Sequence, residues 1–342
     1  LWAEVAGDLA LVLADVPDSS FQIDWVHLCR EMANDLLLEP AAVIAELDTV
    51  RQRLLHTPAA RLFLVSSEAS RDALEPAIEE LIAGLDETPV ANVDYRETRG
   101  VVERLRARDP GAVDPVFVGL LNPSSQSGVF MNTANFVGYE ETDPNRLLDY
   151  LSVNLYAGGG GHSIFMKTWG SGLAYSNGIG SRLADGRMSY YAERTPLLPQ
   201  TLQFVIGELE DAAFDPSLVE YAIAQAFRGS RSALPYETRG EQMARDFADG
   251  LTPDTVARFR EAILGLRDTP DLATELYSRM NGGYALVLPG MDDATDAAVE
   301  VGDGVYFVIG PENQFAAWEQ YLKSVEGDDV TLYRLYPRDF WN

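Results

Sequence analysis

Metal chemistry in this chain would have to be built on three histidines, His27, His56 and His162, and no two of them stand four residues apart. A helix brings two imidazoles onto one face at that spacing, so neither a His-x-x-Glu-His helix nor its inverted counterpart can be written. His27 lies four residues before Glu31 and could contribute two ligands at most; a place on a helix surface or in a core suits it better. Cys29 is the only cysteine, which excludes an internal disulfide and a cysteine-built zinc site. Its setting, Trp25–Met32, looks helical and predicts a buried structural thiol. Gly170-Ser171-Gly172 and Gly229-Ser230-Arg231 do not make the Gly-x-Ser-x-Gly turn of a nucleophilic serine. Gly158–Gly161 opens onto His162 without the Gly-Lys-Ser/Thr ending of a phosphate loop. This cluster, like Gly178 and Gly180 near Arg182, reads as permission for tight turns or close backbone approach.

One segment stands apart: Lys167-Thr168-Trp169-Gly170-Ser171-Gly172-Leu173-Ala174-Tyr175-Ser176-Asn177-Gly178, read as a glycine-rich turn entering a small-residue strand that carries one tyrosine. A tyrosine so placed serves packing or contact with a peptide.

The elements around it follow from periodicity and punctuation. Residues 1–14 form a strand or a short helix. Residues 21–37 and 40–56 read as amphipathic helices, the second opening on Pro40. Arg61–Ser66 reads as a short buried strand, and 70–84 as a helix with Ala73, Leu74, Ala77, Ile78, Leu81 and Ile82 on one face. From 86 to 114 the chain turns to charge, Pro and Gly, a connection with a helix over 98–107. Strands follow at Val116–Leu121 and Gly128–Tyr139, then a helix at Asn145–Tyr156 and a strand at Arg187–Glu193. Helices are expected at 198–211, 216–228, 237–249, 253–266 and 270–280. Strand Val305–Ile309, helix Gln314–Val325 and strand Thr331–Leu335 close the chain. Strands and helices without strict alternation predict an α+β fold.

An internal repeat sharpens the domain picture. At an offset of 244, Phe63 aligns with Phe307, Leu64 with Val308, Val65 with Ile309, Glu68 with Glu312, Ala73 with Ala317 and Glu75 with Glu319. Each copy reads as strand, turn, helix. Far fewer residues precede the first copy than the second, so the first domain is expected to lack its opening strands. The resulting division is 1–86 as the second part of a domain, 87–114 as the connection and 115–342 as a complete domain.

Composition bounds the function classes. A length of 342 residues with 46% hydrophobic and 23% charged residues fits a globular chain with sizeable cores. The net charge of -27, with lysine only at Lys167 and Lys323, opposes phosphate backbones and disfavours nucleic acid as a partner. It reads first as a solubility adaptation, with selection of cationic peptides as the alternative. No apolar run reaches the roughly 18 residues of a membrane span.

With these residues in place, the chain resembles the C-terminal half of the pitrilysin (insulinase-like) zinc metallopeptidases, above all the presequence-protease branch. The resemblance rests on the Gly172–Tyr175 segment and on the order of elements from 116 onward, including Arg194-Thr195-Pro196 after the strand at 187–193. It implies two αβ-roll domains of the metallopeptidase and processing-peptidase type, the first incomplete. It further implies a substrate-enclosing chamber for oligopeptides whose zinc is held by an N-terminal catalytic half, on the same polypeptide or on a partner, so that this chain alone binds no cofactor and is inactive. In the family, the tyrosine and an arginine six or seven residues before it donate hydrogen bonds to the substrate carbonyl. Tyr175 corresponds to that tyrosine and is the candidate transition-state donor. Trp169 and Thr168 hold the arginine's two places, leaving Lys167 or Arg182 to substitute. The implied substrate contacts are Tyr175, Gly172, Ala174, Trp169, Lys167 and Arg182. A structural or adaptor protein of the same fold without proteolysis is the alternative, and an unrelated peptide- or ligand-binding α+β module a third.

Overall fold

The computed structural model describes residues 2–56, 62–88, 100–231, 235–292 and 303–340. Its strands are β1 (Val116–Leu121), β2 (Gly128–Asn135), β3 (Ser176–Arg182), β4 (Arg187–Thr195), β5 (Val305–Gly310) and β6 (Leu332–Leu335). The helices before the sheet are α1 (Trp2–Ala14), α2 (Phe21–Asp35), α3 (Pro40–Leu54), α4 (Glu68–Ala83) and α5 (Gly100–Arg108). Within and after it come α6 (Pro144–Val153), α7 (Ile164–Gly170), α8 (Leu198–Glu210), α9 (Leu218–Ser230), α10 (Tyr236–Ala248), α11 (Pro253–Gly265), α12 (Leu272–Ala285) and α13 (Glu312–Glu326). This is the α+β class that the pattern predicts. No helix among the described residues is long and apolar enough to cross a membrane.

The chain divides into two compact units, one of residues 1–24, 100–232 and 253–342, the other of residues 25–99 and 233–252. The first holds a six-stranded sheet in the order β3-β4-β2-β5-β1-β6. β1 runs parallel to both β5 and β6, while β2 is antiparallel to β5 and β4, and β4 to β3. Alternate residues point to opposite faces of a sheet, and here the two faces have different cover. Phe117, Phe130, Ala134, Met188, Tyr190, Ala192, Tyr306 and Val308 pack on one face against α6, α8, α9, α11, α12 and α13 in the main core. On the other face Val116, Val118 and Leu335 meet Val102 and Leu105 of α5 in a smaller core. Toward the β3 end that second face opens to solvent, with Met131 54% and Tyr191 40% exposed.

Two buried ion pairs fix the unit's framework. Arg279 on α12 donates to Asp149 on α6 at 3.0 Å and to Glu275 at 2.6 Å. Asp24, fully buried, accepts from Ser20 at 2.5 Å and from Arg338 at 2.9 Å, tying the end of the unit's first segment to its C-terminal turn.

The second unit has almost no interior. Among its described residues only Gly240 is buried, and α3 and α4 bury no residue at all. The strand expected at 61–66 does not form: residues 62–67 are irregular, and Leu62, Phe63, Leu64 and Val65 are exposed. A strand exists through hydrogen bonds to a neighbour, and no other strand is described in this unit. The helical part of the repeat does hold, since α4 begins at Glu68 and α13 at the aligned Glu312. Cys29 also departs from expectation, lying exposed on α2, a helix whose one buried residue is Asp24. The expected strand over 128–139 stops at Asn135, and Lys167–Trp169 are helical in α7 rather than part of a turn. Arg61, residues 89–99 of the expected connection, and Trp341 lie outside the described residues.

Candidate functional site

The segment around Tyr175 is shaped by the end of α7. Ser163 caps the start of that helix, and its C-terminus closes by a paired motif in which Gly172 N–H donates to Trp169 O at 3.0 Å and Leu173 N–H to Thr168 O at 3.2 Å. Gly172 sits at φ +70°, a left-handed conformation glycine adopts without penalty. The glycine therefore ends a helix. Thr201 on α8 donates its hydroxyl to Leu173 O at 3.1 Å, and Asn177 Nδ2 donates to Phe165 O at 3.3 Å. These bonds hold the turn against α8 and β3 against α7.

From that turn the chain delivers Ala174 into the core, 4% exposed, and Tyr175 outward, 66% exposed. Tyr175 N–H donates to Glu193 O at 3.0 Å. Its ring lies under a cation, but the cation is neither of the two expected. Arg194 places its guanidinium carbon 4.7 Å from the Tyr175 ring centroid. Lys167 instead pairs with Glu208 at 2.5 Å, and Arg182 with Asp185 at 3.0 Å.

Arg194 reaches Tyr175 because β4 carries an extra residue. Between Gly128, opposite Thr195, and Phe130, opposite Ala192, the register shifts by one, and Arg194 adopts φ +53°. A bulge of this kind re-aims a side chain. It also breaks the alternation of burial, leaving Glu193 and Arg194 both exposed between buried Ala192 and Thr195. Two adjacent charged residues at the end of an alternating strand were the available sequence signal.

Lys167 and His162 belong to a different place. Together with Tyr156, Phe204, Glu208 and Asp211 they line a cavity of about 530 Å³ beside α8. His162 Nε2 lies 3.0 Å from Leu155 O, with its ring edge-on to Tyr156 and Tyr221, a packed structural position. Burial, with Tyr277 and Asp215 beside it, pushes the Tyr156 phenol above its ordinary pKa, so it stays neutral. Trp169 is exposed at the end of α7. The six expected contacts thus separate into Tyr175 and Trp169 at the surface, Gly172 and Ala174 in supporting roles, and Lys167 and Arg182 in ion pairs of their own. No group of three or more His, Cys, Asp or Glu side chains suited to a metal ion occurs among the described residues.

No family model matches the chain, and no curated protein matches it. Solved structures do. The chain is similar to the peptidase M16 inactive domain from Pseudomonas fluorescens, with 15% identity over 70% of this chain and 51% of that one and a TM-score of 0.39. It is similar to an insulinase-family protease from Yersinia pestis, with 15% identity, 75% and 53% coverage and a TM-score of 0.41. Pitrilysin shows 12% identity, 71% and 23% coverage and a TM-score of 0.39. The chain spans about half the length of the first two of these structures and under a quarter of pitrilysin.

Proposed function

We propose that the chain is the non-catalytic half of a pitrilysin-type zinc metallopeptidase, enclosing oligopeptide substrates for a catalytic half carried on the same polypeptide or a partner. The observation that supports it is the exposed Tyr175–Arg194 pair beside a sheet face open to solvent. A phenol O–H and a guanidinium both donate hydrogen bonds that a carbonyl oxygen can accept. They suit an amide oxygen that gains negative charge as its carbon is attacked. Zinc in the other half would polarise that carbonyl and supply the hydrolytic water. Residues of this chain would hold the peptide, donate to its oxygen and exclude water.

The test is complementation. The purified chain alone should neither retain zinc nor cleave an unstructured peptide. Addition of a half carrying a zinc-binding His pair and general-base glutamate, from the same reading frame or a neighbouring gene, should restore cleavage. A chain that retains stoichiometric zinc, or cleaves alone, overturns the reading.

The adaptor alternative draws support from Thr168 and Trp169, which stand where the family's arginine is expected. A complex that assembles with the zinc half and stays inactive would favour it.

A further inference from the structure

Helix α8 ends with charge of the unfavourable sign. The C-terminus of a helix carries a partial negative charge and favours cations in its last turn, yet α8 finishes on Glu208, Leu209 and Glu210 with Asp211 as its C-cap, and no basic residue stands in that turn. Two of the three acids are relieved. Lys167 pairs with Glu208 at 2.5 Å, and Glu210 accepts from the Asp292 N–H at 3.3 Å. Asp211 has no ion-pair partner among the described residues. Asp215, just before α9, accepts from the N–H and the hydroxyl of Ser217 at 2.9 and 2.6 Å, both on Oδ1. Those bonds hold its carboxyl below the ordinary pKa, so it is charged at neutral pH.

The cavity of about 530 Å³ beside α8 opens on these groups. Glu208, Asp211 and Asp215 line it, no arginine does, and Phe204, Leu218 and Tyr156 supply apolar wall. One part of it already displays the chemistry that suits it: Lys167 places an alkylammonium on Glu208 and 5.8 Å from the Tyr156 ring centroid. Carboxylate and aromatic face together recognise such a cation. A divalent metal ion would match the charge of Asp211 and Asp215, but it needs about six oxygen ligands held close. No group of three or more His, Cys, Asp or Glu side chains suited to a metal occurs among the described residues.

We propose that this cavity binds an aliphatic polyamine, one ammonium resting on Asp211, a second on Asp215, and the methylene chain between them lying along Phe204 and Leu218. Two unpaired carboxylates at a helix C-terminus call for two positive charges, and the apolar wall calls for hydrocarbon between them. The site owes nothing to peptide cleavage and stands apart from the Tyr175–Arg194 pair.

The experiment is a calorimetric titration of the full chain with spermidine at about 0.15 M salt, where distant charges are screened. One spermidine should bind per chain and raise the melting temperature. Asp211→Asn should weaken binding about tenfold, yet raise the melting temperature of the ligand-free chain, because it removes a carboxylate from a helix C-terminus. A purely structural role for Asp211 would lower it. Lys167→Met frees Glu208 and deletes the competing ammonium, so spermidine should bind this variant more tightly. Glu75→Gln, which removes one exposed charge from α4, should change nothing. Circular dichroism confirms that each variant folds. No binding up to about 1 mM spermidine overturns the proposal, as does equal weakening by Glu75→Gln or displacement of spermidine by an equimolar concentration of Mg²⁺. Complementation by a zinc-bearing half is indifferent to all of these outcomes, so the two readings fail separately.

Discussion

Tyr175 and Arg194 meet because of one extra residue in β4, and the two can be separated by substitution. Tyr175→Phe keeps the ring beneath the guanidinium and deletes only the donor. In the complemented peptidase, kcat should fall roughly 10²–10³-fold with KM little changed, the signature of a bond made in the transition state. A raised KM at constant kcat would assign the hydroxyl to ground-state binding. Arg194→Gly tests the other partner without confounding the fold. At φ +53° the arginine is in a region that costs an L-residue roughly 1 kcal/mol, so glycine should leave the melting temperature unchanged or raise it, while cleavage falls. Gly172→Ala addresses the support. A Cβ there meets nothing within 4 Å, so the cost is purely that of φ +70°, about 1 kcal/mol read from denaturant midpoints.

At the scale of elements, the clearest prediction concerns the ion pair between α6 and α12. Asp149→Ala would leave Arg279, whose side chain is 9% exposed, with Glu275 as its remaining carboxylate partner and the neutral Asn145 as its other acceptor. Breaking such a pair from one side costs about 3–5 kcal/mol, which should appear as a large drop in the urea midpoint. What the sequence reveals also divides by element. Helices α6, α8, α9, α11 and α13 lie close to their expected spans because each repeats its apolar residues over nearly three turns or more. α7 escapes because seven residues, ending Thr168-Trp169-Gly170, carry too little period to announce a helix. The strands are legible one by one, but the order β3-β4-β2-β5-β1-β6 is set by packing between distant segments. The candidate site shares this split: Tyr175 stands out in its small-residue setting, whereas the pairing with Arg194 depends on a bulge whose local trace is only the adjacent charges of Glu193 and Arg194. The segment at 62–67 fails as a strand for a non-local reason too, since its apolar residues need a partner strand and none is found among the described residues of this unit.

Across the molecule, stability and charge are unevenly distributed. The unit of 25–99 and 233–252 lacks buried side chains among its described residues, whereas the other carries both cores. Opening free energies follow buried contacts, so amides of α3, α4 and 62–67 should exchange at near-zero free energy, well before those of β2, β4 and β5. Simultaneous exchange of both units would refute that ordering. The net charge of -27 acts on every approaching ligand, and salt separates its contribution from that of short-range contacts. The Debye length shrinks from about 30 Å at 0.01 M to about 8 Å at 0.15 M, so attraction from distant carboxylates fades while short backbone bonds remain. An octapeptide with arginine at alternate positions should therefore bind more tightly than its glutamate counterpart at low salt, with the ratio contracting as salt is raised. A ratio that stays constant across that range would mean that the charges selecting the peptide sit at the site itself rather than across the surface.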